Sequence, residues 1–399
     1  MSDPSPDKIP IVDLRAQYGK LRDELREAID EVVESQQFIL GPAVTRFEAQ
    51  MANYLQCSHA VGVASGSDAL LLALMALEIG PGDAVITTPF TFFSTVSSIT
   101  RLGAAALFVD IDAGNYLLSA EALKQFLSEH TNVRDGVTIE IKTGRPIKAL
   151  LPVHLFGQCC AMNEFLALTK QYPMAIVEDV AQACGARLEI NSELEFAGNI
   201  GALGCFSFFP SKTLGGFGDG GLVSGNSIEL AERLRMLRMH GESAKYHHEL
   251  TGINSRLDSL QAAVLTVKLA HLESWCAERI QRADNYFRLF NQSGILGPGI
   301  LAIPPASKDM SHVFNNYVIR AERRDQLRAF LTDHGVQSEI YYPLPLHRQK
   351  CFADLGYQAG DFPNAELAAS QVLALPLYPE LSAGQQETVV ARIGAFYRR

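Results

Sequence analysis

A lysine that directly follows an aromatic run and precedes a glycine-rich stretch is the first place in this sequence where covalent chemistry can be read. The run is Phe206-Ser207-Phe208-Phe209-Pro210-Ser211-Lys212, and the glycines extend from Gly215 to Gly221. A lysine held in a partly dry pocket loses its proton more readily, because desolvation disfavours the ammonium; the neutral amine is then the nucleophile that Schiff-base chemistry needs. A single lysine is ordinarily a solvated surface residue, so its neighbours decide the reading. The first is the acidic end of Ala175-Ile176-Val177-Glu178-Asp179. Carboxylates at the C-terminal ends of parallel strands face the crevice in which α/β sheets bind ligands. Strand alternation turns Glu178 and Asp179 to opposite sides, so one of them reaches a ligand; the competing reading is a cap on the next helix.

The third element is Ser65-Gly66-Ser67-Asp68, which opens the apolar stretch from Ala69 to Leu77. Small residues at a helix start leave backbone N–H groups for an anion such as phosphate, although Ser and Asp are also ordinary N-caps. An amine nucleophile, a crevice acid and an anion cradle together meet the needs of pyridoxal 5′-phosphate, which carries an aldehyde, a basic ring nitrogen and a phosphate. A rival motif, Gly216-Phe217-Gly218-Asp219-Gly220-Gly221, matches the dinucleotide fingerprint G-x-G-x-x-G. It follows a loop and leads into the strand-like Leu222-Val223-Ser224, so the glycines read instead as a turn with positive φ. His247-His248, His312 and His334 lack ligand spacing, and seven cysteines without a CxxC suggest reduced, mostly buried thiols, so no metal site is expected. His154, at a strand end, and His347, in a Pro-rich loop, stand where sites are commonly built.

Positioning these groups requires a scaffold, and 399 residues exceed what one core usually supports. Short apolar strands at 60–64, 84–88, 104–110, 149–154, 175–177 and 205–208 alternate with helical patterns such as 42–55 and 162–171, which predicts a mostly parallel mixed sheet between helices. A Gly/Pro-rich connection from Gly294 to Pro305 leads to a smaller α/β unit with strand 313–320, helix 323–334 and strand 337–341. We expect a large domain over 1–265, including an N-terminal arm, and a small C-terminal domain over 266–399. The polar insertion 132–145 reads as an exposed loop or hairpin. Lys+Arg 34 against Asp+Glu 44 gives a net charge of −10, which argues against a nucleic-acid partner and requires local cations for any anionic ligand. The longest apolar run is too short for a membrane span, and the N-terminus, with Asp3, Pro4, Pro6 and Asp7, lacks a secretory signal, so a cytoplasmic location is expected.

The ordered motifs resemble a known family. Phe38-Ile39-Leu40-Gly41-Pro42, Ser65-Gly66-Ser67-Asp68-Ala69-Leu70, Pro152-Val153-His154-Leu155-Phe156-Gly157, Glu178-Asp179-Val180-Ala181-Gln182-Ala183, Phe206 to Lys212 and Gly252-Ile253-Asn254-Ser255-Arg256-Leu257-Asp258 with Gln261-Ala262-Ala263 are similar to the sugar aminotransferases named for DegT, DnrJ, EryC and StrS, which are fold-type I pyridoxal-phosphate enzymes. The resemblance covers nearly the whole chain. It implies that Lys212 carries the cofactor as a Schiff base and shuttles a proton, and that Asp179 pairs with the pyridine nitrogen. It also implies that Gln182 lies near the ring, Phe92 stacks on it, and Gly66, Ser67 and Ser207 contact the phosphate. Asn254 matches a residue that reaches the phosphate from a neighbouring subunit, which implies a homodimer with shared active sites.

The same resemblance implies amino transfer from glutamate to a nucleotide-linked ketosugar in amino-sugar biosynthesis, with a lysine where a dehydrating branch has histidine. His240-Gly241, Lys245-Tyr246, His248 and the run after Asn254 look more like members acting on 3-keto than on 4-keto sugars. His154, Arg256, Tyr317, Tyr342 and His347 fall at substrate-contacting positions. Asn315 and Asn316 depart from the His and Gln common before Tyr317, and Val180 from an alanine. The alternatives are an aminotransferase or dehydratase acting on a non-nucleotide cyclic ketone, and a non-catalytic regulator that binds the cofactor.

Overall fold

Seven short strands form the central sheet in the order 59–63, 221–225, 203–207, 175–179, 147–150, 84–87, 105–108. Gly221–Gly225 runs antiparallel to both of its neighbours, and the other pairings are parallel. The computed structural model describes residues 8–297, 301–304 and 310–398. The first seven residues of the expected arm, and residues 298–300 and 305 of the expected connection, lie outside them. Strands Ala84–Thr87 and Gly221–Gly225 are buried throughout, as strands covered on both faces must be.

Helices cover the sheet where the apolar spacing demands it. Pro42–Leu55 starts with proline in its first turn and buries Val44, Phe47, Met51 and Leu55 along one face. Gly66–Ala76 is buried nearly all round, with Ala69 to Leu74 and Ala76 enclosed, so it packs as a core helix. A second, three-stranded antiparallel sheet joins Leu301–Ala302, Tyr317–Ala321 and Val372–Leu375. The 22-residue helix Leu272–Ser293 ties the two cores together: Leu272 and Cys276 pack with Phe47 and Phe208, whereas Ala283, Tyr286 and Phe290 pack with Tyr317, Ile319 and Ile393. Among the described residues no helix is long and apolar enough to cross a membrane.

Three sequence expectations are corrected. Residues 337–341 form no strand; Val336 and Glu339 make isolated bridges to Ile9 and Ala374. The strand expected from residue 313 begins at Tyr317, because Asn315 and Asn316 turn to line the central cavity. The glycine run has no positive φ. Its glycines are required by close approach instead: a Cβ would lie 2.3 Å from Pro210 O at Gly215, 2.8 Å from Gln261 Oε1 at Gly216 and 2.3 Å from Ser65 O at Gly221. The insertion at 132–145 holds a hairpin, Thr131–Arg134 with Val137–Glu140, closed by Asp135 and Gly136 at φ 51 and 77.

Candidate active site

The C-terminal ends of the parallel strands open on a cavity of about 490 Å³, within the range of small-ligand sites. Ser65 to Ser67 follow the strand His59–Val63, Thr91, Phe92 and Ser94 follow Ala84–Thr87, Asp179 ends Ala175–Asp179, and Ser207 ends Leu203–Ser207. Lys212 enters from the loop after Ser207, and Asn315, Asn316, Tyr341, Tyr342, Leu375 and Leu377 close the cavity from the smaller core. The topology therefore gathers residues as far apart in sequence as Ser65 and Leu377.

Alternation splits the two acids. Asp179 faces the cavity, where Thr95 Oγ1 donates to Oδ2 at 2.8 Å and the Ala181 N–H to Oδ1 at 3.2 Å. Glu178 turns into the protein and is fully enclosed. Its Oε1 accepts from the N–H groups of Ile200 (2.9 Å) and Gly201 (2.7 Å), and its Oε2 from Gly198 N (2.9 Å) and His154 Nε2 (3.0 Å). His154 Nδ1 accepts from Cys160 N–H at 3.0 Å, which leaves the ring proton on Nε2 for Glu178. Both ring nitrogens are engaged and the ring is fully buried, so His154 stands behind the cavity wall and does not line the cavity.

Burial sets the charge states. Desolvation lowers the Lys212 amine from 10.5 to about 8, although the charge of Asp179 opposes the shift. Desolvation pushes Asp179 up; the Thr95 hydroxyl, the Ala181 N–H and Lys212 hold it down in part. The loop behind Lys212 is anchored from helix Ser259–Leu269. Lys268 Nζ donates to Gly215 O at 2.7 Å, and Gln261 Oε1 accepts from Phe217 N at 2.7 Å.

The residues fit pyridoxal phosphate. Among the described residues, Asp179 has no Arg or Lys within 4.0 Å, so a buried carboxylate waits for a cation, which a ring N–H supplies. At the start of helix Gly66–Ala76, the Ser65 side chain caps Asp68 N, while the N–H groups of Gly66 and Ser67 have no acceptor among the described residues. Ser67 Oγ meets Ser94 Oγ at 2.6 Å, so two helix starts and Ser207 frame one anion site. A Cβ on Gly66 would stand 2.5 Å from Ser207 Cβ and fill the cradle. Phe92 lines the cavity with 55% of its surface exposed and its ring 6.0 Å from that of Tyr342. Gln182 bridges the walls, accepting from Phe156 N at 2.6 Å and donating to Tyr342 Oη at 3.0 Å.

Other expected contacts are placed elsewhere. Tyr317 belongs to the smaller core, 1% exposed, with its ring 4.9 Å from Tyr286, so it does not line the cavity. His347 is enclosed beside Phe362, with Nε2 on Glu366 Oε1 at 2.9 Å, also off the cavity. Asn254 is exposed and Arg256 partly so, and neither lines the cavity of its own chain. Sequence reasoning missed Ser94 and Thr95, which lie two and three residues from Phe92, and Arg279, whose only signal was an arginine on an apolar helix face.

The sequence profile of the DegT/DnrJ/EryC1/StrS aminotransferase family matches residues 20–394. The chain is 43% identical over 391 residues to a pleiotropic regulatory protein of Geobacillus stearothermophilus, covering 98% of this chain and 99% of the relative. It is 40% identical over 392 residues to a UDP-N-acetyl-3-dehydro-alpha-D-glucosamine 3-aminotransferase of Acidithiobacillus ferrooxidans, covering 98% and 97%. The crystal structure of DesV from S. venezuelae superposes with a TM-score of 0.88 at 38% identity, covering 98% of this chain and 99% of that one.

Proposed function

The chain belongs to the DegT/DnrJ/EryC1/StrS aminotransferase family of pyridoxal-phosphate enzymes, and from that premise we propose that it moves an amino group from glutamate to a nucleotide-linked sugar, at a 3-keto carbon. The observation that carries the reading is Lys212 and Asp179 lining one cavity, each feeling the other's charge, beside the free N–H groups of Gly66 and Ser67. The relative from A. ferrooxidans, named for a 3-dehydro sugar, supports the 3-keto position.

Pyridoxal phosphate, when bound, supplies an electrophilic aldehyde and a ring that accepts electrons. The chain's residues supply the rest. Lys212 Nζ, deprotonated above about pH 8, would hold the aldehyde and is the group placed to take and return the proton at the substrate carbon bearing nitrogen. Asp179, oriented by Thr95 and Ala181, presents its charge to the ring nitrogen. Gly66, Ser67 and Ser207 would hold the phosphate, Phe92 would pack against the ring, and Gln182 braces Tyr342 through its amide. Tyr342 stands at the substrate side. Asn254, exposed on its own chain, and Arg256, partly exposed, serve a partner's site in a homodimer. His154, Tyr317 and His347 act through packing.

The test is transfer of isotopic nitrogen from labelled glutamate to 3-keto and 4-keto nucleotide sugars, and to the same sugars without nucleotide. Transfer to the nucleotide-linked 3-keto sugar supports the proposal, and turnover that ignores the nucleotide contradicts it. The Geobacillus relative's name favours a second, regulatory reading, which requires bound cofactor without transfer to any sugar.

A further inference from the structure

Two residues in the cavity lining bear a cationic group, Lys212 and Arg279. Lys212 is committed to the aldehyde, so Arg279 is the one fixed cation left to this chain's lining among the described residues. It projects from helix Leu272–Ser293 and is 5% exposed. Its Nη1 donates to three backbone carbonyls, Phe314 O at 3.2 Å, Asn315 O at 3.4 Å and Leu377 O at 3.0 Å. Its Nε is enclosed without an acceptor. Nη2 also has no acceptor among the described residues and is not among the enclosed atoms; since Arg279 lines the cavity, Nη2 is the donor left for a ligand there.

No carboxylate lies within 4.0 Å of this guanidinium among the described residues. The acid whose charge it feels, Glu380, pairs with Lys20 at 3.3 Å. A buried cation without a counter-ion is costly unless one arrives, and the three carbonyls hold Arg279 in place in advance. Its neighbours tie it to the chemistry: Asn315, whose carbonyl it bonds, accepts from Thr213 Oγ1 at 3.4 Å through its side chain, and Thr213 adjoins Lys212. A mostly buried cation that lines the same cavity as the reacting lysine suits a small anion such as a carboxylate.

We propose that Arg279 is the subsite for a carboxylate of the amino donor, with Nη2 as the donating group. The proposal rests on the reading that the donor is glutamate, and its test separates the two.

Glutarate, which has the carboxylates of glutamate but neither an amino nor a keto group, is the probe. It is titrated calorimetrically into wild-type, Arg279→Met and Arg279→Lys holoenzymes, with the visible cofactor band recorded for each. We expect the Met variant to keep the band and bind glutarate about a hundredfold more weakly, as loss of a charged hydrogen bond predicts. Lys should fall between, KM for glutamate should rise in parallel, and KM for the ketosugar should hold. Equal glutarate affinity in wild type and Met, no glutarate binding by wild type, or a rise confined to the ketosugar KM would overturn the proposal. If Met fails to fold or to take cofactor, Arg279→Lys and a wild-type holoenzyme crystal with glutarate decide: a carboxylate at Nη2 supports it, and one placed elsewhere overturns it. Wild type that binds glutarate through Arg279 but gives no amino transfer from glutamate contradicts the donor assignment alone.

Discussion

Thr95 Oγ1 donates to Asp179 Oδ2 at 2.8 Å, joining the helix that follows one strand to the carboxylate that ends another. A threonine hydroxyl has one proton, so the 2.9 Å contact between Thr91 and Thr95 must be donated by Thr91. The two hydroxyls form a directed chain that ends on Asp179 and fixes which way its charge points.

Thr95→Val keeps the shape and removes that donor. Loss of a hydrogen bond to a charged group is about 1.5–3 kcal/mol, so we expect turnover to fall about ten- to hundredfold while cofactor stays bound, measured by steady-state kinetics and by retention on gel filtration. Turnover within twofold of wild type contradicts the role given to this chain.

The Lys212 amine titrates near 8. Its folded pKa is depressed, so the reactive neutral form is present above that value and is lost as pH falls through it. The rate at which apoprotein captures pyridoxal phosphate should climb up to about pH 8 and then level off, where an ordinary lysine would keep climbing to 10.5. Asp179 raises this pKa, so Asp179→Asn should move the break to lower pH. A break that stays or moves up removes the electrostatic link.

Gly66→Ala places a Cβ 2.5 Å from Ser207 Cβ, so the helix start and the strand end must part. We expect cofactor affinity to drop about tenfold or more, as for one lost charged hydrogen bond, measured by equilibrium dialysis. Unchanged affinity would show that the phosphate lies elsewhere.

Glu178 accepts four hydrogen bonds with no solvent access. Glu178→Gln turns one acceptor oxygen into an amide donor facing N–H groups, and a buried network broken in this way costs about 3–5 kcal/mol. Denaturant unfolding of the apoprotein should register that loss, and a stability change under about 1 kcal/mol would contradict the network as described.

Much of this was legible in sequence. The apolar strands, the helix from Pro42 and the split of Glu178 from Asp179 all follow from local periodicity, which needs no knowledge of the partner strands. What escaped depends on distance. Thr95 is recognisable as a partner of Asp179 only once strands 84–87 and 175–179 are known to flank strand 147–150 and end on the same side of the sheet. His154 is expected at the substrate because strand ends are where sites are commonly built and because the resemblance puts it there; the structure turns it inward to Glu178. Tyr317 and His347 were placed by resemblance, and folding buried both. The hairpin Arg187–Ile190 with Glu193–Phe196 gave no signal, because Asn191 and Ser192 take positive φ where a glycine would have announced a turn. The glycine run misled for the opposite reason, since its glycines answer to neighbouring backbone instead of to φ.

The most direct test of the account is the visible spectrum of the purified protein loaded with pyridoxal phosphate, followed as glutamate is added. We predict a band that wild type shows, that Lys212→Ala lacks, and that glutamate discharges with one equivalent of 2-oxoglutarate released per site. A band of equal strength in Lys212→Ala, or one that glutamate leaves untouched in wild type, would contradict it.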